Sequence, residues 1–196
     1  MANPARKQRY TYADLLGWPE GERWELIDGQ AWDMSAAPSI DHQGILGELF
    51  VAIAVFLRDK PCRAFPAPFD VRLPGAEIAD DRIDTVVQPD IVVVCDPAKL
   101  DRRGCLGAPD WVVEILSPAT AAKDQGIKRA LYERHGVREF WLVHPADRVV
   151  IAYRLEAGAY GKPEIAAEGD DIVPALFPGL TIAVAELFAR IPRAEG

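Results

Sequence analysis

The stretch Trp111-Val112-Val113-Glu114-Ile115-Leu116 constrains the fold more than any other part of the chain, because it is apolar at every position but one. A short run of this kind, rich in β-branched residues and closed by Ser117-Pro118, predicts a central strand buried on both faces. An ionised carboxylate at Glu114 then costs several kcal/mol even after relaxation. A cation or a hydrogen-bonded neutral form must offset that cost. The segment Gln88-Pro89-Asp90-Ile91-Val92-Val93-Val94 repeats the pattern, with a single acid, Asp90, at the mouth of an aliphatic strand. Two acids on two buried strands, close in the chain, outline a metal site.

At 196 residues and 49% hydrophobic content, the chain is expected to form one domain with a sizeable core. That domain is placed at residues 10–190, between a loose N-terminal arm (1–9) and a short tail (191–196). The longest apolar stretch, around Leu49 to Leu57, is too short to span a bilayer, and the basic start Met1 to Arg9 leads into no signal-peptide core. The expectation is a cytoplasmic protein with no membrane partner. Cys62, Cys95 and Cys105 lack zinc-like pairing and read as reduced structural or surface thiols. His42, His135 and His144 carry no HExxH-like spacing, which argues against a zinc hydrolase. A net charge of −8 argues against a generic nucleic-acid-coating surface, though not against an enzyme that meets phosphates through metal ions. The basic clusters Arg6, Lys7, Arg9; Arg102, Arg103; and Lys123, Lys128, Arg129 read first as solvated surface.

Thr11-Tyr12-Ala13-Asp14 predicts a capping box opening a short helix that ends at Gly17. Trp24 to Ile27 and Gln30 to Met34 flank Asp28-Gly29, the signature of a tight hairpin. Ser39 caps a long helix to about Leu57, with Ile45, Leu46, Leu49, Ile53, Phe56 and Leu57 at helical spacing. Residues 63–73 give one bent strand, or two broken by Pro66 and Pro68. An acidic loop (Pro74 to Asp84), the Asp90 strand, a loop (Asp96 to Ala108) and the Glu114 strand follow. Thr120 starts a second helix, which ends at Gly136. Strands at Arg138–His144 and Arg148–Leu155, short strands near Pro163–Ala167 and Leu180–Ile182, and a helical turn at Val184–Phe188 complete the chain. The order predicts an α/β sheet flanked by helices.

Two strand carboxylates suit a hard divalent cation such as Mg²⁺, which takes carboxylate oxygens and keeps several waters. Asp90 and Glu114 would hold it, with the Ile115 carbonyl nearby. A positive side chain beside them would stabilise charge developing on a phosphodiester. Pro89-Asp90, followed on the next strand by an acid two residues before a lysine position, resembles the PD-(D/E)xK nuclease pattern; here that position is Leu116. A longer ordered set is more specific. It comprises Trp24-Glu25-Leu26-Ile27-Asp28-Gly29, Met34-Ser35, His42-Gln43, Gln88 to Val93, Gly107-Ala108-Pro109-Asp110 and Val113 to Thr120. Asp124, Lys128, Tyr132, Gly136-Val137 and Glu139 to Val143 continue it. Over about residues 10–190 this set resembles the Uma2 family of restriction-endonuclease-like proteins. The resemblance implies a restriction endonuclease-like mixed β-sheet flanked by helices, with an α-β-β-β-α-β core and an N-terminal hairpin. It also implies a Mg²⁺-dependent endonuclease acting on DNA, with Mn²⁺ able to substitute.

In that family a lysine on the following helix can replace the strand lysine, which makes Lys128 the candidate and Lys123 the fallback. The alternative for Lys128 is an exposed pair with Asp124, one helical turn away, worth ~0.3–0.5 kcal/mol. Glu25 matches the family's acid on the hairpin; otherwise it is a solvent-facing strand acid. The candidate catalytic set is thus Asp90, Glu114, Lys128 and Glu25, with Asp90, Glu114 and Ile115 toward the metal. His42 and Gln43 either touch the site or cap the long helix. Asp70, Asp80, Asp81 and Asp84 read as loop acids, with Asp84 a competitor for the metal, and the five tryptophans read as core. Expected partners are DNA and a second copy in a homodimer. Two other functions fit the residues: a non-catalytic nucleic-acid or protein-binding member of the same fold, and a metal-dependent phosphoryl hydrolase of small substrates.

Overall fold

The computed structural model describes residues 9–19, 21–34, 38–76, 78–117 and 123–191. The expected N-terminal arm up to Gln8, the tail beyond Ile191 and the expected helix start at Thr120 lie outside them.

The first helix, α1 (Tyr12–Leu15), opens where the Asp14 carboxylate accepts the Thr11 N–H at 2.8 Å and its hydroxyl at 3.0 Å. Strands β1 (Trp24–Ile27) and β2 (Gln30–Asp33) pair antiparallel. Asp28 (φ 51°) and Gly29 (φ 78°) are both left-handed between them, as a type I′ turn requires. The long helix α2 (Ile40–Leu57) begins at Ser39, whose hydroxyl accepts the His42 N–H at 3.2 Å. Its Ile45, Leu49, Ile53 and Leu57 form one buried stripe.

Two sheets follow. The larger is built from β3 (Arg63–Pro66), β6 (Ile91–Val94), β9 (Trp111–Ile115), β10 (Glu139–His144), β11 (Val149–Glu156) and β12 (Ala159–Tyr160). Its order is β12-β11-β10-β9-β6-β3, with β13 (Glu164–Ala167) also on β11. The smaller contains β4 (Val71–Arg72), β5 (Val86–Val87), β7 (Leu100–Asp101) and β8 (Gly104–Leu106), in the order β2-β1-β5-β4-β8-β7. Helix α3 (Arg129–His135) connects β9 to β10, which run parallel as such a crossover demands. A small pair, β14 (Asp171–Ile172) with β15 (Ile182–Ala183), leads into α4 (Val184–Phe188). The succession α2, β3, β6, β9, α3, β10 is the α-β-β-β-α-β core expected from the sequence.

Strand β9 is buried along its whole length because both faces of the large sheet are covered. Trp111, Val113 and Ile115 face α2 and α4. Val112 and Leu116 share the other face with Leu131, Tyr132 and residues of the smaller sheet. Side chains alternate along a strand, so Glu114 belongs to this second face, between the two sheets.

Several local expectations are corrected. The expected Gln88–Val94 strand is shortened to β6 (Ile91–Val94): β5 ends before it in the other sheet, and the chain changes sheets at Gln88-Pro89-Asp90, where proline cannot donate a ladder bond. Of the two readings of residues 63–73, the structure has the two strands, β3 and β4, and places them in different sheets. The loop from Asp96 contains the β7–β8 hairpin, with Arg102 and Arg103 at its turn. Gly104 (φ 118°) there approaches the Asp70 carbonyl so closely that a Cβ would sit 2.2 Å from it. Lys123–Lys128 is a π-helical stretch rather than ordinary helix, and α3 ends at Gly136 (φ 82°) as anticipated. Cys62 and Cys95 are not free thiols but a disulfide, because the β3–β6 register that sets Arg63 against Val94 brings them opposite each other. Cys105 is free and buried. The apolar element that matters for membrane arguments is all of α2, 18 residues and long and apolar enough to cross a bilayer by length and composition, not the shorter stretch from Leu49. Here its buried stripe packs into the protein core.

Candidate active site

The β6–β9 register pairs Ile91 with Val113 and Val92 with Val112. One step further along, it sets Asp90 opposite Glu114, at the point where the chain crosses between sheets. Asp90 is fixed from two sides. Its Oδ2 accepts the Ile115 N–H at 2.7 Å, and the His42 ring nitrogen Nε2 lies 3.1 Å away, carried by the first turn of α2. Ile115 therefore touches the site through its N–H.

Glu25 projects from β1 of the smaller sheet and is 0% exposed. The hairpin strand is covered on both faces, which rules out the solvent-facing alternative. Its carboxylate accepts the Gln88 N–H at 2.9 Å, two residues before Asp90. From the opposite side comes Lys128, 1% exposed. Its ammonium lies 2.8 Å from Glu25, 2.9 Å from Glu114 and 3.5 Å from Asp124. Asp124 and Lys128 are an i,i+4 pair as the sequence suggests, but a buried one, so the surface-pair reading is wrong here. The Tyr132 hydroxyl donates to Glu114 Oε1 at 2.6 Å. Asp124, Lys128 and Tyr132 thus recur every four residues on one face, and the π-helical stretch sets the first two of them. Short π-helical segments occur often at functional sites.

Electrostatics follow from this crowding. Burial lifts the Glu114 carboxyl most strongly; Lys128 pulls it down, and Asp124, Asp90 and Glu25 push it up again, to about 8. Burial works against the Lys128 ammonium, but Glu114, Glu25 and Asp124 together outweigh it and hold its pKa well above the ordinary lysine range. Burial, with Glu114 and Glu25, raises the Tyr132 phenol well above its ordinary value and keeps it a donor.

The structure brings Asp90, Glu114, Lys128 and Glu25 together, with His42 at the edge. Gln43 is exposed on α2. Asp84 pairs with Arg9, Asp80 with Arg103, and Asp70 binds Gln88 and Tyr12, which leaves Asp84 engaged at the surface rather than competing for a metal. Two members of the cluster, Asp124 and Tyr132, are not in the candidate set from sequence. Their four-residue spacing around Lys128 is the signal that could have found them.

A central sheet in this order, with acids at the mouths of two adjacent strands, defines the restriction endonuclease-like fold. The profile of the Uma2 family, described as "Putative restriction endonuclease", matches residues 11–185, and the chain belongs to that family. It is similar to a crystal structure from Anabaena variabilis, titled a "putative nuclease belonging to DUF820". The two are 24% identical with a TM-score of 0.72, over 92% of this chain and 98% of that one. It is also 27% identical over 140 residues to an uncharacterized protein of Synechocystis sp., covering 70% of each.

Proposed function

We propose that this protein is a metal-dependent endonuclease that hydrolyses DNA phosphodiester bonds at Asp90, Glu114 and Lys128. The observation that carries the reading is the Lys128 ammonium, 2.9 Å from Glu114. It supplies from the helix the cation that Leu116 cannot supply from the strand.

The donor set fits a divalent cation. Asp124, Asp90 and Glu25 all press on Glu114 from nearby, so added positive charge beside Glu114 and Asp90 relieves a buried excess of negative charge. Among the described residues no three His, Cys, Asp or Glu side chains form a full cage. Mg²⁺ takes one or two carboxylates and keeps its waters, so a pair of acids is enough for it. Asp90 and Glu114 would hold it. When bound, the ion would polarise a phosphoryl oxygen and acidify a bound water. The protein's own part is positional. The Ile115 N–H and His42 orient Asp90; Glu25 and Asp124 hold the Lys128 ammonium where charge on a phosphate oxygen would be stabilised.

A test is single-turnover cleavage of plasmid DNA with Mg²⁺, with chelator, and with Lys128→Ala. Metal-dependent nicking that Lys128→Ala slows on the order of 10²-fold supports the reading. Nicking unaffected by chelator would sink it. One observation favours a second reading, a non-catalytic binding member of the fold: Lys128 already lies among the acids and offsets part of their charge without any ion. Absence of Mn²⁺ binding in calorimetry would favour that alternative.

A further inference from the structure

We propose that Tyr132 is a positioning residue for divalent-metal binding, holding Glu114 so that its second carboxylate oxygen faces the ion. The inference rests on the metal-site reading above and deepens it.

Both donors to the Glu114 carboxylate fall on the same oxygen. The Tyr132 hydroxyl reaches Oε1 at 2.6 Å and the Lys128 ammonium reaches Oε1 at 2.9 Å; among the described residues none reaches Oε2. Two donors on one oxygen fix the plane of the carboxylate and leave the other oxygen to an electrophile. The two donors differ in kind. The ammonium is shared with Glu25 and Asp124 and sits on a flexible stem, so it can shift among three acids. The phenol cannot. Its ring is wholly buried and packs edge-on against Phe140 of β10, the strand beside β9, at 5.1 Å between centroids. The hydroxyl position is therefore set by the core and not by Glu114. Carboxylates that bind metals depend on such outer partners, whose loss costs roughly 10–100-fold in metal affinity.

The experiment is calorimetric titration of Mn²⁺ into the wild type, Tyr132→Phe, Glu114→Gln and Tyr160→Phe at one fixed pH. Half-saturating Mn²⁺ for plasmid nicking is measured in parallel. Tyr160→Phe is the matched control, because it also deletes a hydroxyl that donates a hydrogen bond, to the Val137 carbonyl at 3.0 Å, in the same aromatic cluster. The expected result is a Kd raised roughly 10–100-fold in Tyr132→Phe and unchanged in Tyr160→Phe. Nicking by Tyr132→Phe should recover at saturating Mn²⁺, which a general loss of structure would not allow. Wild-type affinity in Tyr132→Phe, or equal weakening in both tyrosine variants, overturns the positioning role while the loss of binding in Glu114→Gln leaves the metal site standing. If the wild type binds no Mn²⁺, or Glu114→Gln binds as well as wild type, the metal site falls and the role of Tyr132 falls with it.

Discussion

Replacing Lys128 by methionine keeps the length and apolar stem of the side chain and removes only its charge. In the folded protein that charge meets Glu25 at 2.8 Å, Glu114 at 2.9 Å and Asp124 at 3.5 Å, all out of water. Breaking a buried pair by deleting one partner costs roughly 3–5 kcal/mol, because the remaining charge is left uncompensated. An exposed i,i+4 pair is worth only ~0.3–0.5 kcal/mol. The two descriptions of Lys128 thus differ about tenfold. For a chain of this size each kcal/mol moves the melting midpoint by roughly 2–4 °C, so a drop of about 6–20 °C is expected. The loss should grow with pH, because the acids escape part of the penalty by taking up protons. Thermal and urea unfolding, followed by circular dichroism in metal-free buffer across a pH series, measures this. A loss below about 1 kcal/mol at every pH would refute the buried-cluster description.

Other outcomes follow from the same geometry. Glu114→Gln should abolish Mn²⁺ binding in calorimetry while leaving the circular dichroism spectrum native, because glutamine keeps the volume and loses the charge. Asp90→Asn and Glu114→Gln should each remove most cleavage and the pair little more, since groups acting on one ion are non-additive; single-turnover losses that multiply would separate the two acids. Glu114 has a folded pKa raised from an ordinary 4.5 to about 8. Its contribution to metal-free stability should therefore be full below the ordinary value and disappear as pH rises through about 8, and denaturation midpoints taken across that window check it. Leu116→Lys combined with Lys128→Ala should recover part of the single-turnover rate lost in Lys128→Ala, because position 116 shares the Glu114 face.

Much of the site is legible in the sequence because burial is legible there. An aliphatic strand with one acid marks Glu114, and a proline-led aliphatic strand marks Asp90. The hairpin is fixed by Asp28-Gly29, and both ends of α2 and the C-terminal stop of α3 by Ser39, Leu57 and Gly136. What eludes the sequence is what depends on pairing between distant segments. Pro89 marks a break between β5 and β6, but Val86-Val87 and Ile91–Val94 are equally aliphatic, so which sheet each joins comes from the partners it finds. The Cys62–Cys95 bond depends on strand register in the same way. The burial of Asp124 and Tyr132 requires knowing that the π-helical stretch and α3 lie against the sheets. Four-residue spacing shows which residues share a helix face but not what covers it.

The central claim is that Asp90 and Glu114 together hold a divalent cation. It is tested most directly by a crystal of the protein soaked in Mn²⁺, with diffraction recorded to locate the metal by its anomalous scattering. An anomalous peak between the Asp90 and Glu114 carboxylates, lost in Glu114→Gln crystals, is the expected result. A peak elsewhere, or carboxylates still closed on Lys128 with no peak at saturating Mn²⁺, would contradict a metal centre on these two strands.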